Sequence, residues 1–221
     1  RNPKIANLYA DGEKAVITAK ATEGTLTISN NGAVGVYANN GGKITLGGKV
    51  DMDTGDGAVV INGGTISFTG PSLKLTSSDA GLNADEGTIT LDGAADVDAS
   101  DGAIAQNGGS LLFKGPLTVR STDTGLVAYR DNSSITVEGE AVLNGLDGVI
   151  AKNGGTILFN GPLTINSTAT GLTADEGSIT VEGEAVLNGA YGVLAEYGGT
   201  ILFNGPLTLK SSAAGLTADG S

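Results

Sequence analysis

The chain has 221 residues, including 37 glycines and five prolines but no cysteine or histidine, and its 24 acidic and 12 basic side chains give a net charge of −12. Without His or Cys it cannot assemble a Ser-His-Asp or Cys-His centre, a thiolate zinc site or a disulfide. The acidic balance argues against nucleic acid or an anionic membrane as partner, and no apolar run is long enough to cross a bilayer as a helix.

In chain order, residues 7–12 (NLYADG) are a first, degenerate copy of a motif that returns as GLTADG at 215–220. Between them the pattern small, apolar, x, Ala begins at Gly35-Val36, Gly57-Ala58, Gly81-Leu82, Gly102-Ala103, Gly125-Leu126, Gly148-Val149, Gly171-Leu172 and Gly192-Val193. The period is about 21 to 24 residues, doubled into a larger unit of about 45. TILFNGPLT recurs at Thr156 and Thr200, and SITVEGEAVLNG recurs at Ser134 and Ser178. Each unit then runs through a Gly turn into a short alternating strand such as TITL at 88–91, and no Gly-free stretch carries a 3.6-residue apolar stripe. Asn-Gly-Gly at Asn62, Asn107 and Asn153 suits positive φ, and Gly-Pro at Gly70, Gly115, Gly161 and Gly205 stops a strand sharply.

Stacking such coils gives an all-β parallel β-solenoid of about nine coils, in the form of a right-handed single-stranded β-helix, rising about 4.8 Å per coil to a rod near 40 Å. Residues 1–34 are expected as irregular coils continuous with the solenoid and 35–221 as the tandem coils, ending inside a repeat as a piece of a longer protein would. The inward rows are predicted as Val36, Ala58, Leu82, Ala103, Leu126, Val149, Leu172, Val193 and Leu216, with Ala or Val two residues on. A second strand adds Ile66, Ile89, Leu111, Ile135, Ile157, Ile179 and Ile201. Two residues further along, Phe68, Phe113, Phe159 and Phe203 alternate with Leu91, Val137 and Val181. A ring over a smaller side chain fills a core without voids; recent duplication alone gives the same alternation.

The outward position between the inward rows should be polar, yet it reads Tyr37, Val59, Asn83, Ile104, Val127, Ile150, Thr173, Leu194 and Thr217. The neighbouring strand adds Leu112, Leu158 and Leu202 between Thr90, Thr136 and Thr180. The candidate partner-binding residues are therefore Tyr37, Val59, Ile104, Leu112, Val127, Ile150, Leu158, Leu194 and Leu202, an apolar and Thr stripe on one face of the rod. Strand propensity filling a tolerant face, or cover by a side loop, would produce the same composition. Thr rows interrupted by Leu in every second coil do not fit an ice-binding lattice.

Asp56, Asp101 and Asp147 recur at one corner, Asp85, Asp175 and Asp219 at the matching corner of intervening coils, with the doublets Asp51/Asp53 and Asp96/Asp98 nearby. Neither DMDTGD nor DVDASD has EF-hand spacing, so solvated turn carboxylates that keep the rod soluble are expected rather than calcium loops. The same doublets are the acids that a polysaccharide-acting β-helix enzyme would recruit, but a catalytic site needs one coil unlike the rest. Tyr129-Arg130, in place of the Asp-Glu of ADEG, is the one local departure.

Acidic, Cys-free coils of the type GxxAxxGGTIxFNGP resemble, over nearly the whole chain, the passenger domains of Gram-negative autotransporters, including pertactin-like and diffuse-adherence adhesins. The resemblance implies export across the outer membrane by a C-terminal β-barrel that these residues do not contain, a place at the cell surface or in the secreted fraction, and roles in adhesion, biofilm and virulence. It implies a host or bacterial surface ligand, protein or glycan, or self-association. The family's proteases and esterases are not matched, since GDSG, a nucleophile elbow and His are all missing. No catalytic residue, metal or cofactor is therefore expected. A passive stalk presenting another domain is the alternative.

Overall fold

A computed structural model describes residues 6–30 and 32–220. Its 24 strands form a parallel β-solenoid of about nine turns, and among the described residues there is no helix. Most coils have three strands, although Val16–Ser29, Lys43–Thr54, Ala185–Glu196 and Leu207–Asp219 each run on through a bend, and each strand pairs in parallel with its counterpart one coil away. In one mid-rod coil these are Asp101–Gln106, Ser110–Phe113 and Leu117–Ser121, which define a first, a second and a third face. The first coil already obeys this register: Ala6–Asp11 pairs with Val34–Asn39, setting Leu8 on Val36 and Ala10 on Ala38.

Alternation decides what points inward. The first-face rows Val36, Leu82, Leu126 and Leu172, with Ala38, Ala84, Ala128 and Ala174, have no exposed surface. On the second face Ile66, Ile89, Ile135 and Ile179 are likewise fully buried. The rings of Phe113 and Phe159 are paired in register with Leu91, Val137 and Val181, as expected. The third face completes the core with Val50, Leu73, Ala95, Leu117, Ala141 and Leu163, and then Met52, Leu75, Val97, Val119, Leu143 and Ile165. Met52 and Val97 lie inside the acidic runs read above as turns. The DMDT and DVDA portions of these runs are in fact strand, within Lys43–Thr54 and Ala94–Ala99, whose period-2 alternation buries Met52 and Val97 and turns Asp51, Asp53, Asp96 and Asp98 outward.

The corner between the first and second faces needs left-handed backbone. Asn62, Asn107 and Asn153 take φ of 48°, 52° and 49°, as Asn does most readily after Gly. The residue ahead of the second strand is glycine in coil after coil, for a different reason. A Cβ on Gly109 would sit 2.0 Å from the Ala84 carbonyl oxygen of the preceding coil, so only bare backbone fits. Ser133 occupies the equivalent place because the corner before it is longer, with positive φ at Arg130 (73°) and Asn132 (62°). Its buried hydroxyl donates to the Tyr129 carbonyl at 2.7 Å and accepts the Gly108 N–H at 3.0 Å.

Candidate functional site

The outward row of the first face is continuous through the coils. Register places Tyr37 on Val59, Val59 on Asn83, Asn83 on Ile104, then Val127, Ile150, Thr173, Leu194 and Thr217 in turn. Three residues earlier in each strand runs a second row, Val34, Asp56, Ala80, Asp101, Thr124, Asp147 and Thr170, at the bend where the third face turns into the first. Several members of that row are closed off from solvent although they lie outside the core: Val34 is 6 % exposed, Asp56 4 %, Ala80 5 % and Thr124 5 %. Val34, Asp56 and Ala80 of this row and Tyr37, Val59, Asn83 and Ile104 of the other line one cavity, so over these coils the bend is concave and the two rows are the floor and one wall of a furrow.

At its N-terminal end the furrow opens into a cavity of about 390 Å³ lined by Tyr37, Val59 and Ile104 together with Asp56, Asn83 and Asp85. Tyr37, Val34 and Val59 form an apolar cluster of their own, separate from the core. The Tyr37 ring lies 5.5 Å from that of Tyr9, and burial pushes its phenol above the ordinary tyrosine range. Tyr37 and Val59 are thus buried, whereas Ile104, Val127, Ile150 and Leu194 are half-buried along the same row.

The remaining three sequence-derived residues are not brought to this furrow. Leu112, Leu158 and Leu202 lie in a row on the second face with Ser67, Thr90, Thr136 and Thr180, around the corner from the first. Leu112 and Leu158 are half-buried and Leu202 is 48 % exposed. The expected single stripe is therefore two rows on two faces, because the Asn-Gly-Gly corner separates the strands that carry them.

The corner aspartates are not solvated turn residues. Asp101 Oδ1 accepts the Thr124 backbone N–H at 3.3 Å, and Asp147 Oδ1 accepts that of Thr170 at 2.9 Å, so each carboxylate holds the next coil. Burial raises the Asp101 carboxyl above the usual carboxylate range, and the Thr124 N–H offsets part of that rise. Asp85 accepts from the Asn107 side chain at 2.7 Å. Among the described residues, no three Asp or Glu side chains converge as a cation cage. Among the described residues, cations of the first face stand at its far edge: Arg130 donates to Asn107 at 2.6 Å and lies 5.0 Å from the Tyr129 ring, and Lys152 pairs with Asp175 at 2.7 Å. Through its hydrogen bond and charge, Arg130 holds the Tyr129 phenol below its ordinary range.

Two features of the surface were not anticipated. The side-chain amides of Asn144, Asn166 and Asn188 form a ladder on the third face, each step 2.9 Å. On the same face Arg120 forms an ion pair with Asp96, one of the doublet aspartates, while Asp98 is exposed.

Compared with known protein families, with curated proteins and with solved structures, the chain matches none. The class that fold and surface define is a parallel β-solenoid repeat protein with an outer furrow.

Proposed function

We propose that the chain is a non-enzymatic adhesion or self-association segment of the autotransporter passenger type, displayed at or released from the surface of a Gram-negative bacterium. The observation that carries this reading is the apolar row of the furrow. Solvent-facing strand positions that only solubilise a rod are filled with charge and Thr, whereas here Val59, Ile104, Val127, Ile150 and Leu194 share one row, broken by Asn83 and Thr173. The repeated coils support a surface used along its length rather than a single reactive point, and the longer corner at Arg130–Asn132 is spent on Ser133 and its backbone bonds. The uniform coils equally support a stalk, and adhesion separates the two. Beads coated with the purified chain should bind host-cell monolayers or aggregate with one another; wild-type beads that do neither reduce the rod to a spacer.

A further inference from the structure

Three side chains that line the cavity, Tyr37, Asn83 and Asp85, keep hydrogen-bonding capacity that no other described residue takes up. Tyr37 is only 5 % exposed, yet among the described residues its hydroxyl has no hydrogen-bond partner, although the neighbouring Tyr9 donates to Asp11 at 2.9 Å. Burial raises the Tyr37 phenol, with smaller contributions from Tyr9, Asp11 and Asp85, so its oxygen lies within the field of a carboxylate that lines the same cavity. Asn83 spends its side-chain oxygen, which accepts from Gln106 at 3.3 Å, and keeps its amide N–H groups. Asp85 spends Oδ1 on Asn107 and keeps its second oxygen. Asp56 and Asp79 also line the cavity but are engaged elsewhere, so they set no charge for a ligand.

These groups select a ligand chemistry. A nearly buried hydroxyl without a partner forgoes a hydrogen bond, and a ligand atom that supplies one recovers the loss. The phenol donates or accepts, the Asn83 amide donates, and the second Asp85 oxygen accepts. Asn83 and Asp85 stand two residues apart on the strand Ala80–Asp85, about 6.7 Å, and Val59 and Ile104 add apolar surface. An anion is repelled by Asp85, a cation leaves the Asn83 N–H facing a like charge, and an aliphatic ligand leaves all three polar groups unmet. A sugar ring meets each condition, because its hydroxyls both donate and accept while its C–H face is apolar. The cavity of about 390 Å³ is near the lower end of the roughly 300–1,000 Å³ usual for small-ligand sites, a size for a short saccharide. We propose that this cavity binds a neutral hexopyranose unit of a glycan, Asp85 accepting from one hydroxyl, Asn83 and Tyr37 bonded to neighbouring ones, and Val59 and Ile104 against the C–H face. The inference rests on the adhesion reading for the source of the sugar, a glycan on a partner cell surface.

The probes are the methyl glycosides of glucose, galactose and mannose, titrated into the intact nitrogen-15-labelled chain and followed by the Asn83 side-chain amide signals, with glucuronate as the anionic counterpart. At least one glycoside should bind with a dissociation constant of about 1 mM, as a ligand of this size allows, and glucuronate should bind more weakly. Tyr37→Phe removes only the unpartnered hydroxyl and Asp85→Asn keeps an oxygen for Asn107, so both should melt like the wild type by circular dichroism. The site predicts binding weakened about fivefold in Tyr37→Phe and about tenfold in Asp85→Asn, and unchanged in Tyr191→Phe, whose side chain is exposed outside the cavity. No saturable binding by any of the three glycosides, affinity unchanged in both cavity variants, or glucuronate bound as tightly as the glycosides overturns it. Coated beads that adhere while no glycoside binds overturn the sugar site and leave adhesion standing. Glycoside binding without any adhesion does the reverse.

Discussion

Phe159→Ala tests the stacking of the core most severely. The ring has no exposed surface and lies between the smaller side chains of Val137 and Val181 on the coils to either side. A Phe side chain buries about 150–250 Å², worth about 4–6 kcal/mol at about 25 cal/mol per Å². Alanine keeps its Cβ share, which leaves about 3–5 kcal/mol lost, the range found for buried Phe→Ala changes. Both flanking strands are held in register by backbone hydrogen bonds, so the cavity cannot collapse, and about 4 kcal/mol is expected. Phe203 offers an internal control, since it packs on Val181 from one side and is itself half-exposed. Its truncation should cost about half as much. Urea unfolding followed by far-ultraviolet circular dichroism measures both. Equal losses at the two positions, or a loss at Phe159 under about 1.5 kcal/mol, would show that the ring row is not the packed core described.

Gly109→Ala places a methyl group against the Ala84 carbonyl, and a shift of about 1–3 kcal/mol in unfolding free energy is expected; an unchanged urea midpoint would mean the corner yields freely. Ile104→Lys with Ile150→Lys should leave a cooperative melt, whereas Ala105→Lys with Ala151→Lys, one residue along and fully buried, should abolish it. For Asp101 the sign follows from its raised carboxyl: the folded state binds the proton more tightly than the unfolded one, so this group's contribution to stability falls as pH rises from the ordinary Asp range through its higher folded value. Asp101→Asn should therefore be the more stable form at neutral pH, with the difference closing in acid, as paired melts across pH will show. Arg130→Ala should move Tyr129 ionisation upward in an ultraviolet phenolate titration, and no movement would mean the guanidinium does not engage the phenol in solution.

The solenoid was legible because its signals are local and repeated. Period-2 runs such as TILF, Asn at left-handed corners and Gly-Pro breaks each act within a few residues, and duplication presents them many times over. The third-face core was not legible: Val50, Met52, Ala95 and Val97 stand among aspartates, and composition there resembles a turn until pairing with Leu73 and Leu75 fixes the inward side. The outward apolar row was readable, but its concavity was not, since the closing-off of Val34, Asp56 and Thr124 depends on the angle between two faces. For the same reason Leu112 and Leu158 were joined to a stripe from which a corner divides them. The role of Asp101 and Asp147 was hidden because their partners, the N–H groups of Thr124 and Thr170, come from the next coil.

The central claim is that the furrow wall of the first face is the adhesive surface, and one comparison addresses it directly. Beads carry the wild-type chain, the pair Ile104→Lys and Ile150→Lys in the furrow, or the pair Thr118→Lys and Thr164→Lys on the outward row of the third face. Each variant is first shown to melt cooperatively, at a cost of about 1 kcal/mol per substitution or less. Loss of adhesion and aggregation in the furrow pair, with full retention in the third-face pair, is the predicted result. Equal adhesion by both pairs, or equal loss in both, would contradict the claim.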